Sequence, residues 1–397
     1  MKHDRLAVVM GLSPTGLYAI RELGSMGVPV LGVTNGFSCG QFSKYLSQRK
    51  KFLTDNDHVH LLKILKDFAE EFSIKPILLP TSDYYIDFIS RYSSQLKSHF
   101  VFQYSYLDGL SFQIMNKGSF HKLCVEHGIS TPTVWEAETR GELRDVSKQV
   151  IYPCIIKPTL IHKARKFMKG KKVLLARTMS EFDNITSSIP SDIKGWLVQE
   201  VIPGPESNIF LFAGYFDRKG IPVHTFTARK LRQYPPGFGS ASLVQSESNQ
   251  EILDISTRFL QAINFRGLCG TEFKFDLRDN CFKIIEINPR PTLWFNISHS
   301  AGKRFVQTAY QDLTCQTLNP QEPQLDGVRW QYLLKDLYSK LFYMIKDKNF
   351  IFPAPEITKY SLSIKKRSWA VFDRLDPMPT IAEPFHFIKK FFERKIT

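Results

Sequence analysis

The chain has 397 residues, 43% hydrophobic and 23% charged, with a formal net charge of +15. That length accommodates two or three cores, since one core rarely grows beyond ~250–300 residues, and the composition excludes disorder on a large scale. The charge leaves nucleic acid, an anionic membrane surface or a polyanionic small substrate as partners, and without a helix-turn-helix, zinc-finger or RNA-binding signature no nucleic-acid partner is expected.

Leu6 to Met10 reads as an apolar strand, Gly11 to Gly16 as a turn, Leu17 to Met26 as a helix and Val28 to Val33 as the next strand. This is a βαβ opening without the full GxGxxG, and Thr34-Asn35 stand where a dinucleotide site would place an acid. A helix N-terminus able to receive some anion is what remains. His58 to Phe72 is a predicted helix, Ile77 to Pro80 a strand, and Thr81-Ser82-Asp83 a cap for a helix through Ile89. The alternation predicts a small parallel α/β domain over residues 1–115.

The texture changes at Asn116-Lys117. Ser119 to His127 reads as a short helix stopped by Gly128. A strand pair follows, Cys154 to Pro158 and Lys172 to Ala176, joined by the basic loop 159–171. Lys157, the one charge in its apolar run, is either an edge residue whose head reaches water or part of a phosphate clamp. Met179 to Ile189 is a predicted helix, and the strand Gly195 to Ile202 stops at Pro203-Gly204-Pro205-Glu206. Strands at Phe210–Phe216 and Val223–Lys230, a loop over 231–240 and a helix from Glu251 to Ile263 lead into a hairpin.

That hairpin is GTEFKFDL (270–277) and IIEIN (284–288). A three-residue loop at Arg278-Asp279-Asn280 sets Leu277 against Cys281 and, counting back, Glu272 against Glu286. Alternation puts Glu286 and Asn288 on one face and Ile285 and Ile287 in the core, and Pro289 ends the ladder. Opposed carboxylates repel. Either the face is solvated, or a cation lies between them; oxygen-only ligands suit Mg²⁺ or Mn²⁺ held together with phosphates.

Taken in order, Lys117, Lys157, the Gln199–Glu206 segment, Glu272 and Glu286-x-Asn288 resemble the ATP-grasp superfamily over roughly residues 5–315, and more narrowly its carboxylate–amine ligases related to D-aspartate ligases. The resemblance implies an N-terminal parallel α/β domain and a two-subdomain ATP-grasp fold over 116–318, with a lid at about 130–200 and a large subdomain at about 201–318. It implies that ATP is bound by Lys117 and Lys157 at its phosphates, by Lys172 as the strand lysine that follows the phosphate loop, by Gln199, Glu200 and Val201 near the adenine, and by Glu206 at the ribose. Glu272, Glu286 and Asn288 would hold Mg²⁺ or Mn²⁺, Arg290 would steady the phosphoryl group, and Arg229 and Lys230 would neutralise a carboxylate substrate. The expected activity joins a small carboxylic acid to an amine through an acyl phosphate; the alternatives are bicarbonate or thiol chemistry, or a nucleotide-binding regulator without turnover. The loop 159–171 departs from the pattern by being basic rather than glycine-rich, with Lys163, Arg165 and Lys169 in place of a backbone cradle. His224 and His299 are open as proton-transfer or structural histidines.

Residues 319–397 read as a basic, aromatic, mostly helical extension. Apolar positions 330, 333, 334, 337, 338, 341, 342 and 345 form a helical stripe, and Phe385 to Ile396 a second amphipathic segment. Two readings stand: peripheral contact with an anionic membrane, or docking on the enzyme or another subunit of a homo-oligomer. The six scattered cysteines imply neither disulfides nor zinc, and no apolar run resembles a signal peptide or a span. The expected location is cytoplasmic, with the membrane reading placing the chain at the inner face.

Overall fold

The computed structural model describes residues 5–51, 58–159, 164–168, 173–318, 322–346 and 350–385. Three sheets organise it. Strands β1 (Ala7–Met10), β2 (Val30–Thr34), β3 (Gln48–Lys51) and β4 (Ile77–Pro80) form a parallel sheet in the order β3-β2-β1-β4. Strands β1, β2 and β4 are apolar and buried because helices cover both faces of the sheet, whereas the edge strand β3 is polar. The helix Pro14–Gly24 follows β1, and Asp83–Arg91 follows β4. Ser82 occupies the N-cap of the latter but makes no capping hydrogen bond. Thr81 instead donates to the carbonyl oxygens of Met10 and Gly11, tying two strand ends together.

The second sheet, β5-β8-β6-β7, comprises Val134–Ala137 (β5), Cys154–Pro158 (β6), Leu174–Ala176 (β7) and Trp196–Glu200 (β8). The third has seven strands in the order β13-β12-β9-β10-β11-β14-β15. They are Ile209–Phe216 (β9), Pro222–Tyr234 (β10), Ser240–Ser246 (β11), Gly267–Asp276 (β12), Cys281–Asn288 (β13), Val328–Gln331 (β14) and Lys366–Trp369 (β15). The loop predicted over 231–240 shrinks, because β10 runs on to Tyr234 and β11 begins at Ser240. After the hairpin come two helices, Asn296–Ser300 and Phe305–Leu313, parted by Gly302 at φ +91°, a left-handed conformation.

The region beyond 318 contains the expected helix, Leu333–Ile345, and also supplies β14 and β15 to the large sheet. The apolar stripe therefore divides: Trp330 is fully buried in β14, whereas the helix presents leucines outward. Among the described residues no helix is long and apolar enough to cross a membrane.

Candidate active site

The hairpin β12–β13 brings Glu272 opposite Glu286, though not by the predicted route. Asp276 pairs with Cys281, so the loop is 277–280, one residue longer than expected, with Asn280 left-handed at φ 51° and Leu277 exposed. A register shift between Glu272 and Phe273 leaves Ile285 as a bulged residue and restores the facing carboxylates. The bulge also corrects the inward set. Ile284 and Ile287 are buried in the core, three apart, and Ile285 lines a cavity instead.

Around this pair a polar chain runs into the N-terminal domain. Asn288 Nδ2 donates to Glu286 Oε1 at 3.0 Å, and Arg290 Nη2 donates to Asn288 Oδ1 at 3.0 Å. The Arg290 guanidinium also donates through Nε to Asp83 Oδ1 at 2.8 Å. The turn between Asn288 and Arg290 is pinned because the Pro289 carbonyl accepts from Tyr106 Oη at 2.7 Å and Gln103 Nε2 at 3.1 Å. Lys230, almost wholly buried, donates to Glu272 Oε1 at 2.6 Å.

Two cavities meet at these groups. The first, of about 570 Å³, runs from Arg290 and Trp294 to Ser13, Thr81, Tyr332 and Lys335. The second, of about 450 Å³, runs between the second and third sheets past Lys117, Lys157, Gln199, Glu200, Val201 and Phe352. Both are lined by Asp83, Gly239, Glu272, Glu286 and Asn288.

Lys117 opens the helix Lys117–Glu126, whose N-cap Asn116 accepts from the Ser119 amide at 3.0 Å. Lys157 is buried on β6, and its ammonium donates to Gln199 Oε1 at 2.6 Å. Burial, then repulsion from Lys117, pulls the Lys157 ammonium well below the usual lysine range, with Glu286 opposing. Lys172, Lys163 and Lys169 lie outside the described residues.

The structure places three other predicted residues differently. The Glu206 carboxylate is buried and lines neither cavity; it accepts from the Gln233 and Gly237 amides at 3.0 and 2.8 Å, which anchors the turn after β10. Burial raises its pKa against those amides and Tyr343. The Glu200 carboxylate turns to the hairpin tip, where Arg278 donates to it at 2.9 Å. Arg229 is outside both cavities, paired with Glu247 at 2.6 Å and held between the rings of Phe210 and Tyr360 at 4.1 and 4.2 Å. Sequence neighbours on a strand face opposite ways, so Arg229 and Lys230 cannot serve one substrate carboxylate together. His224 and His299 line neither cavity, and His299 pairs with Glu22 at 2.9 Å.

Several lining residues escaped the sequence reading. Asp83, a helix-cap residue by sequence, lines both cavities. His121, one turn after Lys117, lines the second cavity, and burial lowers its pKa. Lys274 lies two residues after Glu272 and so on the same strand face; it donates to the carbonyls of Ile202 and Gly204 at 2.8 and 3.1 Å, and burial pulls it down to about 8. Phe352, Tyr332 and Lys335 come from the C-terminal region and carried no local signal.

The donor set fits a hard divalent cation. Glu272, Glu286 and Asn288 offer only oxygen ligands, and the Lys230 ammonium beside Glu272 already supplies a positive charge there. Among the described residues no three His, Cys, Asp or Glu side chains are placed to hold a metal ion by themselves, so the candidate set needs the amide as its third member.

Residues 114–293 match the ATP-grasp domain family. The D-aspartate ligase of Enterococcus faecium (strain Aus0004) is 26% identical over 240 residues, covering 58% of this chain and 56% of that protein, so the chain spans little over half of that relative's length. In three dimensions the N5-carboxyaminoimidazole synthetase of Staphylococcus aureus complexed with ADP is similar at a TM-score of 0.64 with 13% identity, covering 82% of this chain and 81% of that one. The L-amino acid ligase of Bacillus licheniformis is similar at 0.60 with 16% identity, covering 79% and 75%. Residues 114–293, which carry the facing carboxylates of β12 and β13 and follow the parallel N-terminal sheet, thus form a domain that matches the ATP-grasp domain family.

Proposed function

We propose that the protein is an ATP-dependent ligase that joins a carboxylic acid to an amine through an acyl phosphate, releasing ADP and phosphate. The observation that carries this reading is the meeting of two cavities at Glu272, Glu286 and Asn288. One cavity has the buried Lys157 and the exposed Lys117, the cations of a polyphosphate site. The other leads away to the N-terminal domain and has room for a second reactant. The 26% identical relative named D-aspartate ligase supports the same class of reaction.

Lys117 and Lys157 bind the nucleotide phosphates in the second cavity, and Gln199 orients Lys157 through their 2.6 Å hydrogen bond. The acid lies in the first cavity with its carboxylate toward Arg290. The γ-phosphoryl group passes to that carboxylate, ADP leaves, and the amine nitrogen attacks the acyl carbon as phosphate departs and the nitrogen loses a proton. Such transfers need positioning and charge neutralisation rather than a protein nucleophile. Arg290, held by Asp83 and Asn288, neutralises charge developing on the carboxylate oxygens. A divalent cation held by Glu272, Glu286 and Asn288 would add further neutralisation of the phosphoryl oxygens. The six cysteines are free, which supports a reducing, cytoplasmic setting.

ADP release screened over pairs of acids and amines tests the proposal, with Glu286→Gln as control. Release that requires both an acid and an amine, and is lost in the variant, is expected. Full release in the variant, or release that needs bicarbonate or a thiol in place of the amine, would overturn it.

A further inference from the structure

We propose that the outward face of the helix Leu333–Ile345 is a docking surface for an anionic membrane, independently of the reaction assigned above. The helix is amphipathic in the reverse sense. Asp336 and Ser339 are its buried residues, whereas Leu333, Leu337, Leu341, Met344 and Ile345 are 50%, 53%, 47%, 72% and 84% exposed. Their spacing of three and four makes one continuous stripe.

The orientation is locked. Asp336 receives Arg232 Nη2 and Gln331 Nε2, each at 2.6 Å, and Arg232 Nε at 2.7 Å. Rolling the helix to bury its leucines would strip Arg232 of that carboxylate and carry Asp336 out of a site where it is 2% exposed. The apolar stripe therefore faces outward by construction.

Charge selects the occupant. The one acid of the helix is the buried Asp336, while Lys340 is exposed and Lys335 and Lys346 stand half-buried near its two ends. An apolar face bordered by lysines, with no exposed acid, matches the interface of a bilayer with anionic headgroups. A two-fold contact with a second copy would instead bring two lysine-bordered stripes together with no acid to match them. The helix at residues 378–385 repeats the pattern, with Met378, Ile381 and Phe385 exposed at 51%, 59% and 64%. The sequence after it carries Lys389, Lys390, Arg394 and Lys395 against the single acid Glu393. The stripe also adjoins the first cavity: the ring of Tyr338 lies 5.8 Å from that of Tyr234, which lines it, as does Lys335. Docking would thus set that wall of the cavity beside the headgroups.

Co-sedimentation of the full chain tests this with vesicles of phosphatidylcholine and phosphatidylglycerol and with vesicles of phosphatidylcholine alone. Binding to the anionic vesicles is expected, weakened by salt and reduced by at least about tenfold in the double variant L337E/L341E, whose thermal midpoint stays that of the parent. Equal binding to both vesicles, equal binding by the variant, or no binding overturns the proposal. Sedimentation velocity supplies the competing outcome: a dimer of the parent chain that L337E/L341E converts to monomer would assign the stripe to a second copy and overturn the membrane reading.

Discussion

Glu286 and Lys157 show how single side chains carry the candidate chemistry. Glu286→Gln preserves shape and removes charge, so ADP release is expected to fall by at least about 100-fold while the thermal midpoint holds or rises, since a repulsion with Glu272 is relieved. Lys157 offers a test without turnover. Burial and Lys117 depress its pKa in the free protein, and bound phosphates would raise it again. Nucleotide binding should therefore take up a proton in the pH window between the depressed free-state value and the restored one. Calorimetric titration in buffers of different ionisation heat measures that uptake, and Lys157→Met should abolish it. Binding with no proton uptake at any pH would remove Lys157 from the phosphate site.

The hairpin β12–β13 illustrates how an element can reach the expected pairing by another path. The loop gained a residue because Asp276, fully buried, closes the strand with a hydrogen bond from the Arg278 amide at 3.0 Å, and the bulge at Ile285 offset the gain. Burial alone would raise the Asp276 carboxyl, but hydrogen bonds from Arg278 and Lys283 outweigh it and hold the group well below the usual carboxylate range. A carboxyl depressed on folding stabilises the protein above its unfolded pKa of about 3.9 and loses that contribution as pH falls below it. Asp276→Asn is expected to cost about 3 kcal/mol at neutral pH and to flatten the acid limb of stability, read by urea unfolding across that range. Because Arg278 also reaches Glu200 on β8, the variant should loosen the second sheet's hold on the hairpin.

At the scale of the molecule, the second cavity lies between two sheets that the chain connects only through loops, so a nucleotide would bridge them. A non-hydrolysable ATP analogue with Mg²⁺ at about 100 times its Kd should stabilise the fold by about 2.7 kcal/mol. The shift in thermal midpoint should shrink in Lys157→Met and remain in L337E/L341E. The Arg290–Asp83 pair spans the N-terminal domain and the hairpin, 207 residues apart in sequence. Asp83→Asn should lower kcat with little effect on nucleotide binding, because it frees the guanidinium without touching the second cavity's lysines.

The sequence by itself determined the periodic features: the parallel N-terminal sheet, the β12–β13 hairpin, the lone lysine in β6 and the acid–x–amide strand. Each is encoded by alternation or spacing within a few residues, which a linear reading detects. Only tertiary structure decided the rest. Whether Arg229 or Lys230 enters the site depended on which face of β10 the core covers. Glu206 was drawn under the turn after β10 by two backbone amides, and Asp83 was brought to Arg290 by the docking of one domain on another. The stripe on Leu333–Ile345 reads as core by periodicity alone; the buried ion pair of Asp336 with Arg232 turned it outward.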